Sequence, residues 1–177
     1  GIVLFGIAAL NEVALQGAMF QIVSHGIITA LLFLILGIII ERFGTADGEK
    51  LGGIAKGMPI ASGFLLFGAL ASLGLPGLSG FISEFMAFAG LFEVYPWIGA
   101  IGTLGIVLTA VYMLKATLKI TYGSAHRTFA GIVDMNKLEL IPTVILCAFI
   151  IVIGVFPNIL ANVLQETIQI ILLGFGG

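Results

Sequence analysis

The chain has 177 residues, 60% hydrophobic and 9% charged, with a mean hydropathy of +1.24. Soluble domains carry about 25% charged residues, so this composition assigns the chain to a membrane. A net charge of −2 without a basic patch excludes a nucleic-acid surface. The single cysteine, Cys147, excludes a disulfide framework or thiolate metal site and reads as a small packing residue in an apolar run.

The first apolar run, Gly1 to Leu10, would span only ~15 Å as a helix. It has no basic stretch before it and no small-residue cleavage site after it, so it is not a signal peptide. It reads as the tail of a transmembrane helix, and the chain as part of a larger polytopic subunit. Residues 16–41 make a full span, from Gln16 through Leu32 and Phe33 to Ile40. Residues 58–92 are then too long for one span: they would extend ~52 Å as a helix, against a hydrocarbon core of ~30 Å. The run is interrupted at Leu73-Gly74-Leu75-Pro76-Gly77-Leu78-Ser79-Gly80-Phe81. Proline and clustered glycines open a helical ladder, which divides this third element into 58–72 and 82–92. Irregular backbone at membrane depth is tolerated only where it is packed in protein or lines a wet cavity.

The fourth element runs from Pro96 or Trp97 to Ile120, and the fifth from Glu139 to Phe156, where Pro157 stops it. In the tail, Ile159, Leu160, Val163, Leu164, Ile168 and Leu172 recur near helical spacing between polar residues. That pattern predicts an amphipathic helix along the membrane surface or a partner. The expected fold is therefore an all-α membrane protein of about five transmembrane helices, the first truncated and the third discontinuous at 73–81. Residues 1–157 form its transmembrane part and 158–177 the lateral tail.

Six of the seven Lys and Arg residues lie in two connections: Arg42, Lys50 and Lys56 in 42–57, and Lys119, Arg127 and Lys137 in 119–138. The links 11–15 and 93–96 and everything after 139 have none. Positive charge marks the cytoplasmic side, and five alternating spans require these same two connections to share it. The first helix thus runs outward and the second inward, alternating to the fifth. Counting from the outer ends puts His25 about 13 Å deep and Glu84, on the second half of the broken element, about 12 Å deep.

Glu84 is the principal candidate. A carboxylate at this depth is costly unless it faces the protein interior and is protonated, paired or hydrated, and such groups exchange protons at functional sites. The structural alternative has Glu84 capping amides freed by the break, a role open to Ser79 and Ser83 as well. His25, in Ser24-His25-Gly26, can pass protons at physiological pH or can be a hydrogen-bonded packing residue. Lys115 lies ~27 Å from the outer side and reads as a snorkelling amine, with a cytoplasmic proton-inlet role as its alternative.

Glu41 and Arg42 read as an interface anchor or ion pair. Glu12, Glu93, Glu139 and Glu166 read as solvated or interfacial, and His126 as exposed. Tyr95, Trp97, Tyr112 and Tyr122 supply aromatic-belt residues rather than a ligand cage. One His and one Glu without further ligands do not make a metal site. No catalytic triad, phosphate loop or dinucleotide fingerprint occurs, so proton or ion handling is the chemistry these residues can run.

Several motifs, in order and spacing, resemble the antiporter-like subunits of respiratory complex I. They are Gln16-Gly17-Ala18, Ser24-His25-Gly26-Ile27-Ile28-Thr29-Ala30-Leu31-Leu32-Phe33, Glu41-Arg42, Gly52-Gly53, Met58-Pro59, Gly74 through Phe81, Glu84-Phe85-Met86 and Tyr122-Gly123. A Glu at position 84 is similar to the M-type, or chain 4, branch; the L and N relatives and the multisubunit sodium/proton antiporters typically have Lys there.

The resemblance implies the C-terminal transmembrane part of a proton-channel subunit, with His25 in a central polar axis and Glu84 in an outlet half-channel. It implies a tail helix against neighbouring subunits. Lys115 matches no residue of the family mechanism. The implied activity is proton translocation by a non-redox subunit of NADH–quinone oxidoreductase, holding no cofactor itself. Flavin, iron–sulfur clusters and quinone would belong to partner subunits, and the lipid bilayer, neighbouring membrane subunits and protons would be its own partners. The implied location is a bacterial inner membrane, or alternatively the mitochondrial inner membrane. A subunit of a multisubunit cation/proton antiporter or membrane-bound hydrogenase is the alternative within the fold. A non-transporting scaffold is the alternative outside it.

Overall fold

The computed structural model describes residues 1–124 and 131–174, so the expectations for His126 and Arg127 lie outside the described residues. Among the described residues seven α-helices follow in order: α1 (Ile2–Ala9), α2 (Glu12–Phe43), α3 (Pro59–Ser72), α4 (Ser79–Val94), α5 (Pro96–Tyr122), α6 (Lys137–Val155) and α7 (Asn158–Gly174). A single 3-10 turn at Ile54–Lys56 precedes α3, and no strand occurs among the described residues. The helices α2, α5 and α6 are each long and apolar enough to cross a membrane. The all-α membrane fold expected from the sequence is what is found, with the broken third element realised as α3 and α4.

Local chemistry sets the boundaries. Leu10 adopts a left-handed conformation (φ 47°) that ends α1, and Asn11 begins α2 by accepting from the Ala14 N–H at 2.8 Å. This cap starts α2 four residues before the predicted Gln16. At its far end Gly44 (φ 66°) closes the helix through a bond from its N–H to the Ile40 carbonyl. Pro59 and Pro96 occupy first-turn positions, where a missing N–H costs nothing. At α6, Asn136 and Glu139 form a reciprocal capping box, so that helix begins at Lys137 rather than Glu139.

The helix α2 is central, packing on α1, α3, α4, α6 and α7. The principal core joins Ile28, Leu31, Ile35 and Ile39 of α2 to Leu65 of α3 and Ile150 of α6. By contrast α5 turns most of its apolar surface outward, with only Gly99, Thr117 and Thr121 buried. The tail helix α7 packs on α2 and α6, with Ile168 buried and a bond from Gln16 Nε2 to the Ala161 carbonyl, 3.2 Å.

The two basic connections meet at one end of the bundle. Arg42, at the end of α2, contacts Glu139 at 2.6 Å and donates to the Val133 carbonyl at 3.3 Å. Asp134 accepts from the Ile60 and Ala61 amides at the start of α3, at 2.7 and 3.2 Å. Lys119 pairs with Glu49. Glu139 is therefore not a solvated residue. It is a half-buried partner of Arg42, whereas the neighbouring Glu41 is exposed and lies 3.4 Å away.

Candidate functional site

The break is a tight fold. Gly74 takes φ 67°, and two bonds close α3 behind it: Gly74 N–H to Ala71 O at 3.3 Å and Leu75 N–H to Leu70 O at 3.1 Å. This is the double closure by which left-handed glycines end helices. Gly77, at φ 93°, then turns the chain into α4. The fold is packed on both sides. A Cβ on Gly80 would lie 2.2 Å from the Ala71 carbonyl oxygen, and one on Gly154 of α6 would lie 2.5 Å from the Leu78 carbonyl carbon. Protein thus packs the flanks of the irregular backbone at Ala71, Leu78 and Gly80, while residues 75–77 at its tip are exposed.

Glu84 folds back over this break. A Cβ on Gly74 would meet its Oε2 at 2.8 Å, so both the backbone conformation and the carboxyl group exclude a side chain there. Among the described residues the carboxyl group caps no amide, and α4 follows its N-cap Leu78 without a side-chain cap. Ser79 instead shares a 2.8 Å bond with Ser24. Ser83 donates toward Gln21 of α2 and toward carbonyls of its own turn.

These contacts define the register between α2 and α4. Asn11 Nδ2 donates to the Gly90 carbonyl at 2.8 Å, Gly17 lies against Ala87, Gln21 meets Ser83, and Ser24 meets Ser79. The two helices are antiparallel, and small residues let their backbones touch. Read along this register, Glu84 lies level with Phe20, about 7 Å outward of His25. The near-equal depths counted from the sequence are corrected by this register; part of the change comes from α2 starting four residues before Gln16 while α4 runs only two beyond Phe92.

His25 and Glu84 nonetheless line one cavity of about 600 Å³, with Gln21, Ser72, Thr109 and Tyr112 among its other walls. Among the described residues neither the imidazole nor the carboxyl group has a protein hydrogen-bond partner, which leaves both to the cavity. Lys115 is not brought to them. It lines a second cleft of about 380 Å³ with Asp47, Glu49 and Lys119. Tyr112, largely exposed, borders both spaces. Sequence reasoning missed Gln21. Its signal was an amide one turn before His25 on the same face of an apolar span. No cluster of metal-binding side chains occurs among the described residues.

Residues 1–110 match the family described as NADH:quinone oxidoreductase/Mrp antiporter, TM. The chain belongs to that family. It is 40% identical over 176 residues to NADH-quinone oxidoreductase subunit M of Rickettsia prowazekii, covering 99% of this chain and 36% of that protein. It matches a chain of respiratory complex I from Thermus thermophilus at a TM-score of 0.91 and 28% identity, over 99% of this chain and 37% of that one. A chain of the Mrp complex from Dietzia shares the fold at a TM-score of 0.79 and 20% identity, over 94% and 39%. The chain therefore spans little more than a third of the length of the relatives it matches. The resemblance drawn from the Ser24-His25-Gly26 and Gly74–Phe81 motifs is borne out, as is the expectation that relatives are M-type subunits.

Proposed function

We propose that this chain is the proton-outlet portion of a membrane-arm subunit of NADH:quinone oxidoreductase, in a bacterial inner membrane. Quinone reduction in partner subunits, which would hold the flavin and iron–sulfur clusters, drives its charge movements. His25 hands a proton through water in the shared cavity to Glu84, which releases it outward. Lys115 stands on the inlet side, in the cleft that shares Tyr112 with the cavity. Neighbouring membrane subunits cover the exposed faces that lipid does not.

The observation that carries this reading is the meeting of an imidazole and a carboxyl group, otherwise unpartnered among the described residues, in one cavity beside a helix break. Broken helices with ionisable groups at mid-depth are how membrane carriers build ion sites. A scaffold would leave both groups bonded to backbone or packed dry. An antiporter of the Mrp type shares the fold, but the 40% identity to a subunit M favours the redox-driven assembly. The test is Glu84→Gln in the full-length subunit, with pumping measured in vesicles containing the assembled complex. Electron transfer should persist while protons moved per NADH fall. An unchanged ratio removes Glu84 from the path.

A further inference from the structure

The polar contact between α2 and α4 beside the cavity has a property the route above does not use. Ser83 is fully buried, and its hydroxyl reaches three acceptors: Gln21 Oε1, the Gly80 carbonyl at 2.9 Å and the Ser79 carbonyl at 3.4 Å. A hydroxyl has one proton to give. When it goes to Gln21 Oε1, the amide –NH2 is the end left for the cavity that Gln21 lines. When it goes to the Gly80 carbonyl, the amide can turn over and donate to Ser83 Oγ, which leaves the carbonyl end for the cavity. The two ends of an amide have nearly the same shape, so both arrangements fit one space. Gln21 stands level with Ser83, between the level of Glu84 and that of His25.

We propose that Gln21 is a positioning residue for Glu84, an amide held by Ser83 that offers the carboxyl group, through water in the cavity both line, a donor in one charge state and an acceptor in the other. The inference rests on the reading that Glu84 exchanges protons. An ionised carboxylate only accepts, whereas a protonated one also donates. A group of fixed polarity would favour one state and hinder passage through the other. The reversal needs only rotation of the amide and the Ser83 hydroxyl. The migrating proton stays on Glu84 or water throughout, and no covalent bond to Gln21 changes.

The test uses Gln21→Met and Ser83→Ala in the full-length subunit within the assembled complex, by infrared difference spectroscopy across the redox cycle alongside pumping. The carboxylic-acid C=O stretch of Glu84 is identified by its loss in Glu84→Gln. Gln21→Met should move that band to higher frequency and lower the pumping rate roughly fivefold, the worth of one neutral hydrogen bond. Ser83→Ala, which frees the amide, should shift the same band and covers the case in which Gln21→Met does not assemble. An unmoved band in either assembled variant overturns the inference, even where pumping falls, because a merely structural contact would behave that way. Absence of any Glu84 band in the wild type would instead overturn the proposed proton exchange itself.

Discussion

Gly17→Ala tests whether contact between α2 and α4 governs the site. A Cβ at Gly17 would lie 2.3 Å from the Ala87 amide nitrogen, 2.8 Å from the Met86 carbonyl carbon and 2.9 Å from the Ala87 Cα. All three atoms are backbone, so no rotamer change relieves the clash. Ordinary contact begins at 3.4 Å, so the helices must part by about 1 Å. A parting of that size carries the 2.8 Å Ser24–Ser79 bond beyond hydrogen-bonding range, with the Gln21–Ser83 and Asn11–Gly90 bonds close behind. Overpacking costs about 1–3 kcal/mol, and interhelical bonds in membranes average about 0.6 kcal/mol each. Together they predict a loss of about 3–5 kcal/mol. The assay is thermal stability and yield of the assembled complex, with Gly37→Ala as control, since a Cβ at Gly37 of α2 meets nothing within 4 Å. Gly17→Ala should assemble poorly and melt well below the control. Equal melting of the two variants would refute the backbone-contact argument.

Four further variants probe the charged end of the bundle. Arg42→Met leaves Glu139 half-buried without its partner and should cost about 3 kcal/mol, read as a lowered melting temperature of the complex. Glu41→Gln, at an exposed carboxylate, should cost under ~1 kcal/mol, and similar losses in the two would contradict the assignment of Arg42 to Glu139. Asp134→Ala removes an anionic cap from α3 and should cost about 1–2 kcal/mol, with faster hydrogen exchange at the Ile60 and Ala61 amides. Unaltered exchange there would show that Asp134 is dispensable. The Glu49 amide beside Asp47 holds that carboxyl below its ordinary value of 3.8, with lesser help from Lys50 and Lys119. A lowered folded-state value means this contribution is present above pH ~4 and is lost as pH falls through the folded value. Asp47→Asn should therefore mimic acidification at neutral pH by loosening the Glu49 amide, and equal exchange protection in the variant would discount the contact.

The break was readable because glycine and proline declare themselves locally: Gly74, Pro76 and Gly77 could not continue a helix, and the ordered turn falls within the stretch they mark. Helix ends were less legible. Asn11 and Asn136 are ordinary polar residues until their side chains bond the third amide onward, and each moved a boundary outward. That shift is part of what displaced His25 relative to Glu84, since depth counted from a wrong end inherits the error. Arg42 and Glu139 are 97 residues apart, as are no residues that share a helix, so only tertiary structure could pair them. Gln21 was passed over because an isolated amide in an apolar span has no signature until Ser83 stands opposite it.

The discontinuity also answers a packing problem that an unbroken helix would not solve. The inner half, α3, is fastened to the charged end by Asp134 and joins the principal core through Leu65. The outer half, α4, follows α2 along contacts from Ser79 to Gly90. One straight rod of that length would overrun the hydrocarbon core and would carry Glu84 past the cavity on a surface set by α3. Folding the chain at Gly74 and Gly77 lets each half obey its own partner. It also returns the Glu84 carboxyl group to the point where the two halves meet. The cavity lined by His25 and Glu84 is thus held by helix packing, with no bond among the described residues to either ionisable group.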